Sequence, residues 1–161
     1  MEKHKHRVVD NPWLNVVLYR PEIPANTGNI ARLCGAAELR LHLIHPLGFK
    51  FDNKHLKRAG LDYWHEIDIL HYENFDDFIR GMEKDANLIA LSRHGNDVYT
   101  QAKIKKGDYL LFGQETKGLP SDIMNSYFSY YVPIWGKVRS LNLSTTVGIV
   151  AYHYLNHLDK F

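Results

Sequence analysis

The chain has 161 residues, a hydrophobic fraction of 45%, a charged fraction of 24% and a formal net charge of +2. Those values suit an ordinary globular chain of one domain with one sizeable core, and a single cysteine, Cys34, excludes an internal disulfide. A protein that grips nucleic acid by overall charge alone is usually more basic, which leaves two readings: nucleic acid is not the partner, or the basic surface is local and doubled by dimerisation.

Residues 1–12 read as a polar tail ending at Pro12, and residues 13–161 as one domain. The basic start, Met1 to Arg7, is followed by no apolar stretch of secretory-signal length. Asn15-Val16-Val17-Leu18-Tyr19 predicts a buried strand, and helical periodicity runs from about Gly28 to Glu38 with Ile30, Leu33, Cys34 and Ala37 on one face. Leu41 to Ile44 predicts a second strand stopped by Pro46, Asn53 to Ala59 a short helix, and Ile67 to Leu70 a third strand. Asn74 predicts the N-cap of a helix reaching about Met82. Asn87 to Leu91, Tyr109 to Phe112 and Tyr131 to Ile134 complete six predicted strands, and a helix from about Ser144 to Leu158 ends the chain. Near-continuous apolar strands separated by helices predict an α/β fold, a mostly parallel sheet with helices on both faces. No apolar run approaches the roughly 20 residues of a membrane helix. With one cysteine and no signal, the expected location is the cytoplasm.

Ligands of open α/β sheets sit beyond the carboxyl ends of the strands, and three such ends are unusual here. After the first strand, Pro21 to Arg32 holds two stiffening prolines, and Asn26 could cap a helix starting near Gly28. Asn29 and Arg32, three apart, share a face near that helix's N-terminal end, where Arg32 offers a fork suited to phosphate; the plain alternative is a surface arginine. After the fifth predicted strand comes Gly113-Gln114-Glu115-Thr116-Lys117-Gly118-Leu119-Pro120. Its glycines are spaced as in a phosphate loop, but Leu119 stands where lysine is needed, so no nucleoside triphosphate is implied. The glycines do permit close backbone approach to a flat ligand, and a turn alone gives no reason for Glu115. After the sixth, Ser140-Leu141-Asn142-Leu143-Ser144 alternates polar and leucine residues. Any of the polar three could be a helix cap, yet the alternation also suits a backbone that holds an adenine edge.

Taken together, these segments resemble, in order and at the right strand ends, the three motifs of the SPOUT (SpoU-type) class of RNA methyltransferases. The stretch from Asn15 to Leu155 is most similar to the family that 2′-O-methylates the wobble nucleotide of tRNA, and Leu56-Lys57-Arg58-Ala59-Gly60-Leu61-Asp62-Tyr63 and Gly107-Asp108-Tyr109-Leu110 fit it too. The resemblance implies a C-terminal deep trefoil knot, which topology rules alone would disfavour. It implies S-adenosyl-L-methionine as cofactor and S-adenosyl-L-homocysteine as product, with Leu91, Gly113, Ile134, Ser140, Leu141 and Leu143 lining the cofactor site. Arg32 matches the family's arginine, and Asn29, Glu115, Asn142 and Ser144 would complete the catalytic pocket. The implied partners are the tRNA anticodon stem-loop and a second copy of the chain, with no membrane and no metal. Lys54, Lys57, Arg58, Lys103, Lys105, Lys106, Lys117, Lys137 and Arg139 are candidate RNA contacts.

Other readings compete. The chain could 2′-O-methylate another tRNA or ribosomal RNA site, or bind RNA without catalysis. His153 and His157, four apart, form a possible metal pair without a third ligand at a telling spacing, so a helix surface or dimer contact fits them better. The Tyr127, Phe128, Tyr130 and Tyr131 cluster reads as packing rather than base stacking, and Cys34 as core.

Overall fold

Side chains alternate across a strand, so a strand buried on both faces must be apolar at every position. In the computed structural model, which describes residues 7–58, 60 and 64–161, this explains the unbroken runs. Seven strands form one sheet: β1 (Asn15–Tyr19), β2 (Arg40–Ile44), β3 (Ile69–Tyr72), β4 (Leu88–Leu91), β5 (Asp97–Val98), β6 (Tyr109–Phe112) and β7 (Ser129–Tyr131). Their order is β3-β2-β1-β6-β4-β7-β5, and every neighbouring pair is parallel. The helices are α1 (Pro24–Ala37), α2 (Asn53–Arg58), α3 (Phe75–Gly81), α4 (Ser121–Ser126) and α5 (Leu143–His157).

Two cores follow from the alternation. Val16, Leu18, Leu41, Leu43, Leu110 and Phe112 pack with Ile30 and Cys34 of α1 and Val147, Val150 and Tyr154 of α5. Val17, Ile44, Ala90, Tyr109 and Leu111 pack with Phe78 of α3 and Ile123 of α4 on the other face. Each fully buried aliphatic side chain contributes about 1.5–3 kcal/mol, so the central strands β1 and β6 anchor the molecule. Cys34 is wholly buried, and burial pushes its thiol well above the usual range, so the reading of Cys34 as core holds.

Several boundaries differ from expectation. The helix expected from Gly28 begins a turn earlier, at Pro24, whose missing N–H costs nothing in a first turn. Asn26 is therefore inside α1 rather than its cap, and the capping position, Ile23, has no side-chain acceptor of its own. The third strand lies two residues downstream, because Asp68 turns its carboxylate to the Arg40 guanidinium at 2.7 Å and the Val9 amide at 3.0 Å. The strand expected over Tyr131–Ile134 is β7 at Ser129–Tyr131, for Pro133 has no N–H to give a ladder. The two-residue β5 was not foreseen; its polar Asp97 carries no apolar pattern. Asn74 caps α3 as expected, its side chain accepting from the Asp77 amide at 2.8 Å. In the expected tail, Arg7 donates its amide to the His65 carbonyl at 2.9 Å, and the Val9 carbonyl accepts from Arg40 at 2.9 Å. His4, His6, Ala59 and Leu61 to Tyr63 lie outside the described residues.

A buried polar chain ties the sheet together beneath β1. The Asn15 Nδ2 donates to the Gly107 carbonyl at 3.0 Å, so its Oδ1 is left to accept from His42 Nε2 at 2.9 Å. His42 Nδ1 then accepts from the Tyr72 hydroxyl at 2.8 Å, which defines a neutral imidazole with its proton on Nε2. Nearby, the buried Asp108 carboxylate accepts from the Asn87 and Lys105 amides, each at 2.8 Å.

Candidate functional site

The loops leaving β4, β6 and β7 converge at the carboxyl ends of the strands around a cleft of about 720 Å³. That volume lies within the range of small-molecule sites. Leu91, Gly113, Ile134, Ser140, Leu141 and Leu143, which the family resemblance implies as a cofactor wall, all line it. Glu115 and Asn142 line it as well, whereas Asn29, Arg32 and Ser144 do not.

The β6 loop owes its shape to two glycines. Gln114 and Gly118 exchange backbone hydrogen bonds of 3.1 and 2.9 Å, folding the loop back on itself with Gly118 at a φ of 65°. A Cβ on Gly113 would fall inside the backbone of Gly118 and Leu119, so only glycine fits there. The loop is clasped to the start of α1 by three consecutive side chains. Gln114 Nε2 donates to the Arg20 carbonyl at 3.2 Å, and Thr116 Oγ1 donates to the Glu22 carboxylate at 2.8 Å. Between them, the Glu115 carboxylate accepts from the Glu22 amide at 2.8 Å, the Ile23 amide at 3.1 Å and Asn26 Nδ2 at 3.4 Å. This supplies what α1 lacks locally: an anion at the positive end of the helix, held by the two amides that lead into it and by the Asn26 side chain of its first turn. It answers why a carboxylate stands in that turn.

The third wall ends in the cap of α5. Asn142 Oδ1 accepts from the Ser144 amide at 2.9 Å and the Ser144 hydroxyl at 2.6 Å. The capping reading of this turn is therefore correct for Asn142, and Ser144 serves it by holding the amide oxygen. That leaves the Asn142 Nδ2 with no described partner and its residue on the cleft wall. Asn29 and Arg32 lie exposed on α1 and are not part of their own chain's cleft lining.

The lining also includes residues that sequence reasoning missed. Arg93 and His94, directly after β4, line the cleft, with Arg93 Nε donating to His94 Nε2 at 3.1 Å and Arg93 Nη1 reaching the Arg139 carbonyl at 3.5 Å. Their place just beyond a predicted strand end was the available signal. Tyr130, Met124 and Asn125 line it too, while Tyr127 packs edge-on against Phe75. With Lys117 and Arg139 the cleft has three Lys or Arg side chains against one carboxylate. Of the other basic candidates, Lys105 donates to the Asp85 carbonyl and Lys106 sits over the Trp13 ring at 4.5 Å, both near the amino ends of the strands. His153 packs edge-on against Tyr99, and no group of three metal-ligating side chains occurs among the described residues.

Comparison with known proteins agrees with this geometry. The SpoU rRNA Methylase family profile matches residues 13–152. The tRNA (cytidine(34)-2′-O)-methyltransferase of Yersinia pestis is 44% identical over 146 residues, covering 86% of this chain and 90% of that protein. A solved structure described as giving insight into 2-OH methylation of C/U34 on tRNA superposes with a TM-score of 0.86 at 42% identity, over 92% of this chain and 98% of that one. An AdoMet-bound rRNA methyltransferase from Sinorhizobium meliloti superposes with a TM-score of 0.80 at 28% identity, over 93% of this chain and 58% of that one.

Proposed function

Because the chain belongs to the SpoU rRNA methylase family, we propose that it 2′-O-methylates the ribose of the wobble nucleotide of tRNA, cytidine or a modified uridine at position 34, using S-adenosyl-L-methionine. The carrying observation is that six wall residues, dispersed from Leu91 to Leu143 in the chain, meet around one cleft whose β6 loop tolerates only glycine at Gly113.

The residues present fit that cofactor. Leu91, Ile134, Leu141 and Leu143 offer an apolar slot for an adenine face, and the bare backbone at Gly113 allows close approach. The bound cofactor supplies an electrophilic methyl group. What the chain must add is alignment of a ribose hydroxyl and a route for its proton, and alignment alone can lower a barrier by about 7–11 kcal/mol in favourable cases. Arg32 grips the phosphate beside the target ribose and orients the 2′-OH; a guanidinium keeps its charge and is a poor base, so the phosphate or another group takes the proton. Asn29 assists on the same face of α1. Asn142 offers its free Nδ2 to the ligand, with Ser144 fixing the amide the right way round. Glu115 acts by holding the start of the helix that bears Asn29 and Arg32.

Arg32 and Asn29 are exposed and lie outside the lining of their own cleft, which supports a homodimer in which each cleft receives them from the second copy. The same reading makes residues 13–161 one catalytic domain behind a short tail, and its C-terminal segment a trefoil knot. Family membership supports the knot. A tRNA substrate gives a cytoplasmic location, and no helix among the described residues is long and apolar enough to cross a membrane.

The test is incubation with total tRNA and cofactor, followed by mass spectrometry of nucleosides and mapping of the modified position. The expected product is 2′-O-methylcytidine or a 2′-O-methylated uridine derivative at position 34. Methylation confined to ribosomal RNA or another tRNA position, or none, would overturn the assignment.

A further inference from the structure

Residues 134 and 139–143 are cleft wall, so the four residues between them, Trp135 to Val138, form its rim. Trp135 is 92% exposed and Val138 65% exposed, and the Trp135 ring meets no other ring or cation among the described residues. An indole is ordinarily largely buried, because its apolar area is the largest of any side chain. Here the fold gains nothing from it. Lys137 and Arg139 lie two and four residues on along the same loop, and Arg93, whose guanidinium reaches the Arg139 carbonyl, and Lys117 line the cleft that the loop borders. None of these four cations forms an ion pair among the described residues. An unpartnered aromatic face set among unneutralised cations matches a strand that offers both phosphates and unstacked bases, which is single-stranded RNA.

We propose that Trp135 stacks on an unpaired base of the substrate loop, beside the ribose being methylated, while Arg93, Lys137 and Arg139 hold the flanking phosphates. The inference rests on the wobble-methylation reading and adds a specific contact to it. A second copy of the chain suits this rim poorly. Symmetric pairing of the same patch would set Lys137 and Arg139 against their own counterparts, with only two apolar side chains in return.

The experiment uses the full-length protein and an anticodon stem-loop RNA. Trp135→Ala is expected to weaken RNA binding about tenfold and raise the KM for RNA, as loss of one base stack does, while Trp135→Phe retains most of the affinity. Because no charge is removed, the slope of binding against salt stays that of the wild type in Trp135→Ala, whereas Lys137→Ala reduces it by about one. The indole emission should be quenched on adding the stem-loop, and that quench should vanish in Trp135→Phe. Unchanged RNA affinity in Trp135→Ala overturns the proposal, as does loss of affinity accompanied by dissociation of a dimer, which would assign the indole to a contact between copies. If wild type binds the stem-loop through Trp135 yet leaves position 34 unmodified, the wobble reading fails and the stacking contact stands.

Discussion

Glu115 illustrates how much one carboxylate can carry. Its two oxygens serve the Glu22 and Ile23 amides that lead into α1, and its loop supplies Gly113 to the cleft wall. Replacing Glu115 by Gln turns one acceptor into a donor facing N–H groups. The expected result is a loss of about 1–2 kcal/mol in urea unfolding, with kcat lowered more than the KM for the cofactor. Unchanged stability and turnover would show that the clasp carries no load. His42 makes a separate prediction. Burial first, and the Arg40 charge second, hold its imidazole down to about 3. In the unfolded chain the value is about 6.5, so as pH falls the unfolded state takes up a proton first. Stability is therefore full above about pH 7 and drains away between about pH 6.5 and 3, at up to about 1.4 kcal/mol per pH unit. His45, also lowered by burial, adds to the loss with the same sign. Urea midpoints measured from about pH 7 down to 5 should show a steeper fall in the wild type than in His42→Gln.

At the scale of elements, legibility followed the range of the interactions. Asn74 could be read as a cap because its partner, the Asp77 amide, is three residues away. The start of α1 could not, since its cap is Glu115, separated from the amides by more than 90 residues. The β6 loop was partly legible: two glycines signalled close approach, but the fold-back joining Gln114 to Gly118 was not visible in the spacing. That fold-back predicts the outcome of Gly113→Ala. The added Cβ would overlap the backbone of Gly118 and Leu119, so the loop must open, at a cost of about 1–3 kcal/mol. Calorimetric titration with S-adenosyl-L-homocysteine should show affinity at least about tenfold weaker, alongside a lowered melting temperature. Wild-type affinity in that variant would show that the loop does not form the cofactor wall.

For the whole molecule, the question is where Arg32 works. It is exposed on α1 and absent from its own cleft, so the proposed dimer delivers it to the other copy. Co-expression of an Arg32→Ala chain with a Leu141→Arg chain distinguishes the alternatives. Each homodimer should be inactive. The mixed dimer should regain about half of the wild-type turnover per dimer, since one site combines an intact cleft with an intact Arg32, by the same logic that makes a symmetric interface reciprocal. Arginine acting within its own chain would leave the mixture inactive.

By itself the sequence determined the layers and the ligand end of this protein. Unbroken apolar strands required a parallel sheet covered on both faces, and that architecture puts any ligand beyond the strand ends, where the three polar loops stand. Both inferences need only neighbours in sequence. What tertiary structure alone decided was which groups meet: the Glu115 clasp on α1, the neutral His42 between Asn15 and Tyr72, and Arg93 and His94 on the cleft wall. In the first two, partners come from separate strands or loops, and the third needs three loops to close together. Local propensity and periodicity do not encode such meetings, because they arise only when the chain closes distances that no spacing rule spans.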